Sequence, residues 1–110
     1  MAIKFLPTWN GEKEQFAYSG SVKTGTAIAY GPKLSFKANI SAEAYTSILR
    51  EFAEQEVPVG TSQDNPSAGS VGEFVKANIN RSGLMSYIGA ILVSETFAEK
   101  PRRGWIRFFL

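Results

Sequence analysis

Residues 70–110 read "SVGEFVKANINRSGLMSYIGAILVSETFAEKPRRGWIRFFL", and the fold turns on how this stretch divides into helices and strands. It opens with Ser70 and Glu73 at capping-box spacing, after which Val71, Phe74, Val75 and Ile79 recur on one face with a helical period. Beyond the polar "NRS" at 80–82, Leu84, Ile88, Ile91 and Leu92 repeat that period, so a second helix is expected across residues 80–100, stopped by Pro101. Gly83, Ser86 and Gly89 fall every third residue along it. Small residues at that spacing let a neighbouring backbone approach closely, within the chain or in a second copy, at some cost in helix propensity. The closing "RRGWIRFFL" alternates like a strand, with Trp105, Arg107 and Phe109 on one face and Ile106 and Phe108 on the other. Gly104 marks a turn tip, so the basic residues around it are expected on a projecting loop.

Upstream, "ISAEAYTSILREFAEQ" at 40–55 has the same helical character. Ser41 is an N-cap, Glu43 lies in the first turn where the helix dipole favours an anion, and Ala44, Tyr45, Ile48, Leu49 and Phe52 form the apolar face. "VPVGT" at 57–61 reads as a short strand and "SQDNPSAG" at 62–69 as a loop. The first forty residues read as strands. "AIKF" puts Ile3 and Phe5 on one face, Asn10-Gly11 is a hairpin turn signal, and Phe16 and Tyr18 continue the alternation on the return strand. "TAIAY", a Gly31-Pro32 turn and "KLSFKANI", with Leu34, Phe36, Ala38 and Ile40 in step, complete an antiparallel meander.

The chain has no cysteine and no histidine, which removes disulfides, thiolate metal sites and serine or cysteine triads, and makes zinc a poor expectation; no metal and no cofactor are expected. Its carboxylates (Glu51, Glu54 and Glu56 near one helix, with Asp64 the single aspartate) read as a solvated helix face rather than a catalytic cluster, so no enzyme is expected. The longest apolar run, "LMSYIGAILV", is half a membrane span, so no membrane association and a cytoplasmic protein are expected. The net charge of +2 is unevenly placed. Residues 1–99 carry eight basic and ten acidic side chains, whereas residues 100–110 carry Lys100, Arg102, Arg103 and Arg107 with no acid. A faintly acidic body with its positive field concentrated at one end points to an anionic partner.

From residue 41 the order is helix, strand, helix, helix, strand, turn, strand, and this order resembles the winged helix-turn-helix superfamily; "AILVSETFAEKPRRGWIRF" resembles its third helix leading into the wing. The resemblance covers residues 41–110 and implies a groove-entering third helix, with Arg81, Ser82, Met85 and Ser86 facing the nucleic acid, and a wing carrying Lys100, Arg102, Arg103, Trp105 and Arg107. Base-reading helices carry several Arg, Lys, Asn or Gln, and this one offers Arg81 alone at its start, so contact through backbone and shape is expected rather than base readout.

The expected protein is a single α+β domain over residues 1–110, with an N-terminal antiparallel β-meander at 1–40 and a winged-helix-like three-helix part at 41–110 ending in a short β-hairpin. Its expected role is nucleic-acid binding through Arg81, Lys100, Arg102, Arg103, Trp105 and Arg107, with Trp105 as the stacking ring. The alternative is a protein-interaction module or homodimer using the small-residue helix face or the acidic 43–56 helix. A third reading has Trp9, Phe16, Tyr18 and Tyr30 lining a small-molecule pocket.

Overall fold

The computed structural model describes residues 2–11, 15–62, 65–80 and 84–109. Four strands, β1 (Lys4–Pro7), β2 (Gln15–Ser21), β3 (Gly25–Tyr30) and β4 (Phe36–Ile40), form an antiparallel sheet in the order β1-β2-β3-β4. The alternation that marks them as strands sorts their faces. Phe16, Tyr18, Ile28 and Ile40 point into the molecule and are buried. Leu6 sits opposite Phe16, and Tyr18 opposite Ile28. Ile3 and Phe5 fall on the other side: Phe5 is in register with Ala17, one residue out of step with Phe16, and both side chains are exposed. The "SGSVKTG" stretch is the tight β2–β3 turn, closed by a hydrogen bond between the Ser21 and Thr24 hydroxyls, with Val22 buried beneath it. Leu34 belongs to a 3-10 turn (Pro32–Leu34) ahead of β4, and Phe36 remains largely exposed.

The caps legible in the sequence start the first two helices. In α1 (Ala42–Glu51) the Ala44 N–H donates to Ser41 Oγ at 3.1 Å. In α2 (Val71–Asn78) the Glu73 N–H donates to Ser70 Oγ at 3.0 Å, while the Glu73 carboxylate reaches back to accept from the Gly69 N–H. Each cap satisfies a backbone donor that the first helical turn leaves open. The third helix, α3 (Met85–Ser94), is shorter than its apolar pattern suggests. Thr96 takes a left-handed conformation (φ 66°), the Thr96 N–H donates to Val93 O and the Phe97 N–H to Leu92 O. That bonding is a Schellman close, which turns the chain out of the helix five residues before Pro101.

The remaining strands, β5 (Glu56–Pro58), β6 (Ala98–Glu99) and β7 (Trp105–Phe108), make a second antiparallel sheet in the order β5-β7-β6. The two sheets and three helices enclose one cluster of buried side chains. Tyr45 and Ile48 of α1, Val71 and Val75 of α2, Met85, Ile88 and Leu92 of α3 and Ile106 and Phe108 of β7 meet the inner face of the meander there. Phe52 joins α2 to β7, lying edge-on to Phe74 at 5.6 Å and stacked on Phe108 at 5.8 Å. Phe16 is buried in this cluster, whereas Trp9 and Tyr18, though buried, each border an open cleft. No helix among the described residues is long and apolar enough to cross a membrane.

Candidate functional site

The β6–β7 hairpin presents the basic residues. Its connection turns at Gly104 (φ 80°), the Trp105 N–H donates to Arg102 O at 3.1 Å, and the Val59 N–H donates to Gly104 O at 2.9 Å, which ties the turn to the strand beside it. Residues 100–104 are exposed. The cations of this hairpin reach to both sides of the small sheet.

Lys100 lies on the side facing the N-terminal segment. Its ammonium donates to the Trp9 carbonyl and stands 4.5 Å from the Trp9 ring centroid. Trp9 is held there by α3: its backbone N–H donates to Ser86 O at 2.9 Å, and its indole lies against Gly89, where an added Cβ would come within 2.7 Å of the ring. The small residue at 89 therefore admits the ring of the chain's own N-terminal segment. Lys100, Arg102 and Arg103 converge with Trp9, Asn10 and Gly104 around an open cleft of about 500 Å³, and no carboxylate lines it among the described residues.

Arg102 also reaches the opposite side of the sheet. Its guanidinium covers one face of Trp105 at 4.2 Å and pairs with the Glu56 carboxylate at 3.2 Å. Arg107 pairs with Glu99 and stands in cross-strand register between Glu56 and Glu99. Two of the three hairpin arginines thus meet the molecule's own glutamates, and the positive field is less concentrated than the sequence suggests. These pairs are exposed, and such pairs contribute about 0–1 kcal/mol each, so a phosphate can compete for the same guanidinium. Arg103 makes no ion pair among the described residues.

The sequence-derived set therefore splits. Lys100, Arg102 and Arg103 share the cleft. Trp105 and Arg107 lie outside its lining, and one face of the Trp105 ring is already occupied. Arg81 and Ser82 lie outside the described residues. Met85 is fully buried, the Ser86 carbonyl is taken by Trp9, and Tyr87 packs against Phe16 at 5.1 Å and Tyr30 at 4.8 Å. The N-terminal forty residues thus cover much of the helix that the resemblance would send into a groove. Comparison with known proteins adds no relative. No family model matches the chain, and no curated protein or solved structure matches it either.

Trp9 and Asn10 are cleft residues that the sequence does not link to the basic hairpin: it offers Trp9 as the lining of a small-molecule pocket and Asn10 as a turn signal. Trp9 comes beside Lys100 only through the tertiary fold, across 91 residues of chain. Among the described residues there is no group of three or more His, Cys, Asp or Glu side chains able to hold a metal ion. The perturbed acids lie elsewhere. Burial, and then the hydrogen bond to the Glu95 carboxylate, push the Tyr18 phenol up to about 12; burial likewise raises Tyr45, whose hydroxyl bonds Thr26 Oγ1 at 2.7 Å. Both phenols stay neutral and hold the sheet against the helices.

Proposed function

We propose that this chain is a non-catalytic binding module that holds nucleic acid by its phosphate backbone, at the cleft formed by Lys100, Arg102 and Arg103 beside Trp9 and Asn10. The observation that carries the reading is the convergence of three cations on one open cleft. Phosphate contacts of this kind position a polyanion without reading its sequence. The element order α1-β5-α2-α3-β6-β7, with β7 central in its three-stranded sheet, supports a winged-helix-like reading in which the β6–β7 hairpin is the wing. The covered α3 makes this a wing-led contact, with Arg107 and Trp105 at its margin and no helix inserted for base readout.

Two to three phosphate contacts give weak, sequence-independent affinity, with Kd on the order of 10⁻⁴–10⁻⁶ M at moderate salt and a log–log salt slope of roughly −2 to −3. Fluorescence anisotropy with two unrelated duplexes over a salt series tests this. Both duplexes should bind alike, and Arg102→Ala/Arg103→Ala should flatten the slope by about 2. A chain that binds neither duplex at low salt, or a double variant with an unchanged slope, overturns the reading.

A further inference from the structure

No element among the described residues covers the outer face of the four-stranded sheet. Ile3 and Phe5 stand 65% and 61% exposed at its β1 edge, and the centre is lined by Ala17, Ala27 and Ala29. A shallow groove of about 430 Å³ runs across it, with Lys33 and Lys37 at the β4 side and no acid in its lining among the described residues. Exposed apolar surface of this kind marks a contact site.

The arrangement of side chains on this face is graded. In one cross-strand row Phe5, Ala17, Ala29 and Lys37 lie in register; in the next, Ser19, Ala27 and Asn39 do, with Ile3 just ahead of β1 on the same side. Bulk is concentrated on β1, the alanines form a depression along β3, and the charge lies beyond them on β4. We propose that a second copy of this chain covers the face, related by a two-fold axis running along β2. Such an axis turns β1 of one copy over β3 of the other. Phe5 then enters the depression at its partner's Ala29, and Ile3 the one at its partner's Ala27. Ala17, already buried at the floor of the groove, lies beneath the axis in each copy. A two-fold axis across the strands would instead set β1 on β1, bulk against bulk. The chosen axis carries Lys37 of each copy past the other's β1 edge, so the cations never face one another. Twisted sheets pack face to face with strands within about 30° of alignment, which preserves this correspondence at the centre, where Phe5 and Ala29 lie. The alternative contacts that the sequence offered for self-association are less available, because Gly89 is already filled by Trp9.

The three facing strands, about 4.8 Å apart and two to three outward residues deep, offer roughly 300 Å² per copy. The total is then roughly 600 Å², below the range of stable interfaces, so the dimer is weak, with a dissociation constant in the sub-millimolar range. The contact is isologous, each patch meeting its own copy.

Sedimentation equilibrium from about 5 μM to 1 mM is the test, with circular dichroism confirming that each variant is folded. Wild type should dimerise across this range. Phe5→Ala should weaken the dimer at least tenfold by removing the inserted ring, and Ala29→Phe should do the same by setting ring against ring. The double variant Phe5→Ala/Ala29→Phe should recover most of the lost affinity, because the bulk has moved from one strand to its two-fold counterpart. Ala27→Lys, which places a charge opposite the partner's Ile3, serves if the added ring on β3 compromises folding, and it too should weaken the dimer at least tenfold. A wild type that is strictly monomeric at 1 mM overturns the proposal, as does a double variant that associates no better than either single one. A monomer that co-sediments with phosphatidylserine vesicles overturns it in favour of a lipid surface.

Discussion

Glu56 sets how much of the hairpin's charge is open to a ligand. Its carboxylate lies 3.2 Å from Arg102 and faces Arg107 across the β5–β7 ladder. Replacing it with Gln keeps the side chain's size and removes one negative charge beside two cations. The expected outcome is a duplex affinity about three- to tenfold tighter at low ionic strength, with the gain fading as salt screens the site. Anisotropy titrations of Glu56→Gln at two salt concentrations check this; unchanged affinity at low salt would mean that Arg102 does not meet the ligand. The basic character of residues 100–107 was legible in the sequence because charge can be counted without a fold. Its partial neutralisation was not. Glu56 reaches Arg102 and Arg107 only through the strand pairing that brings β5 alongside β7, and nothing local announces that pairing.

At the scale of elements, legibility followed the caps. Ser41 with Glu43, and Ser70 with Glu73, set the starts of α1 and α2 where the sequence places them, because cap hydrogen bonds are made within a few residues. The end of α3 was misread for the converse reason. A left-handed stop is announced by Gly or Asn, and here it is made by Thr96, a β-branched residue that resists that conformation. The apolar Phe97 that follows looks like a continuing helical face, yet its N–H closes the Schellman bond to Leu92. Thr96→Gly relieves the steric cost at this exposed position, offset in part by the greater freedom of glycine in the unfolded chain. The net expectation is a gain of about 0.5–1 kcal/mol. Urea denaturation should show a higher midpoint with an unchanged m value; a lower midpoint would mean that the threonine contributes more than its strain costs. The face assignment of β1 was misread for a related reason. Ile3 and Phe5 alternate correctly, but a period of two does not say which face is inner, and pairing Phe5 with Ala17 puts both bulky residues outside.

Over the whole molecule, the meander and the helices share one cluster of buried side chains, and α3 is where they are joined. The neutral helix that looked ill suited to base readout is where the N-terminal segment seats: Trp9 fits against the small Gly89, and Phe16 and Tyr30 pack on the Tyr87 ring. At its C-terminal end the Glu95 carboxylate accepts from the Tyr18 hydroxyl at 2.8 Å and from the Val22 N–H at 2.9 Å, bonding the first sheet to the last turn of the helix. This join carries a signature in pH. The Tyr18 phenol, ordinarily near 10, is raised to about 12 first by burial and then by the Glu95 carboxylate. The unfolded chain loses that proton near pH 10 while the folded chain keeps it, so the unfolded state binds fewer protons between those values and stability falls as pH rises through them. The stabilisation is whole below pH 10, and on the order of 2 kcal/mol is lost by pH 12. Tyr45, raised by burial as well, adds a loss of the same sign. Urea denaturation at pH 8, 10 and 11 should show this decline in wild type. Tyr18→Phe should be less stable at pH 8, because Glu95 loses a donor, and should decline less steeply above pH 10, with the Tyr45 share remaining. Equal alkaline slopes for wild type and variant would mean that Tyr18 ionises as readily in the folded chain as in the unfolded one, and that the sheet is not held to α3 through a neutral phenol at Glu95.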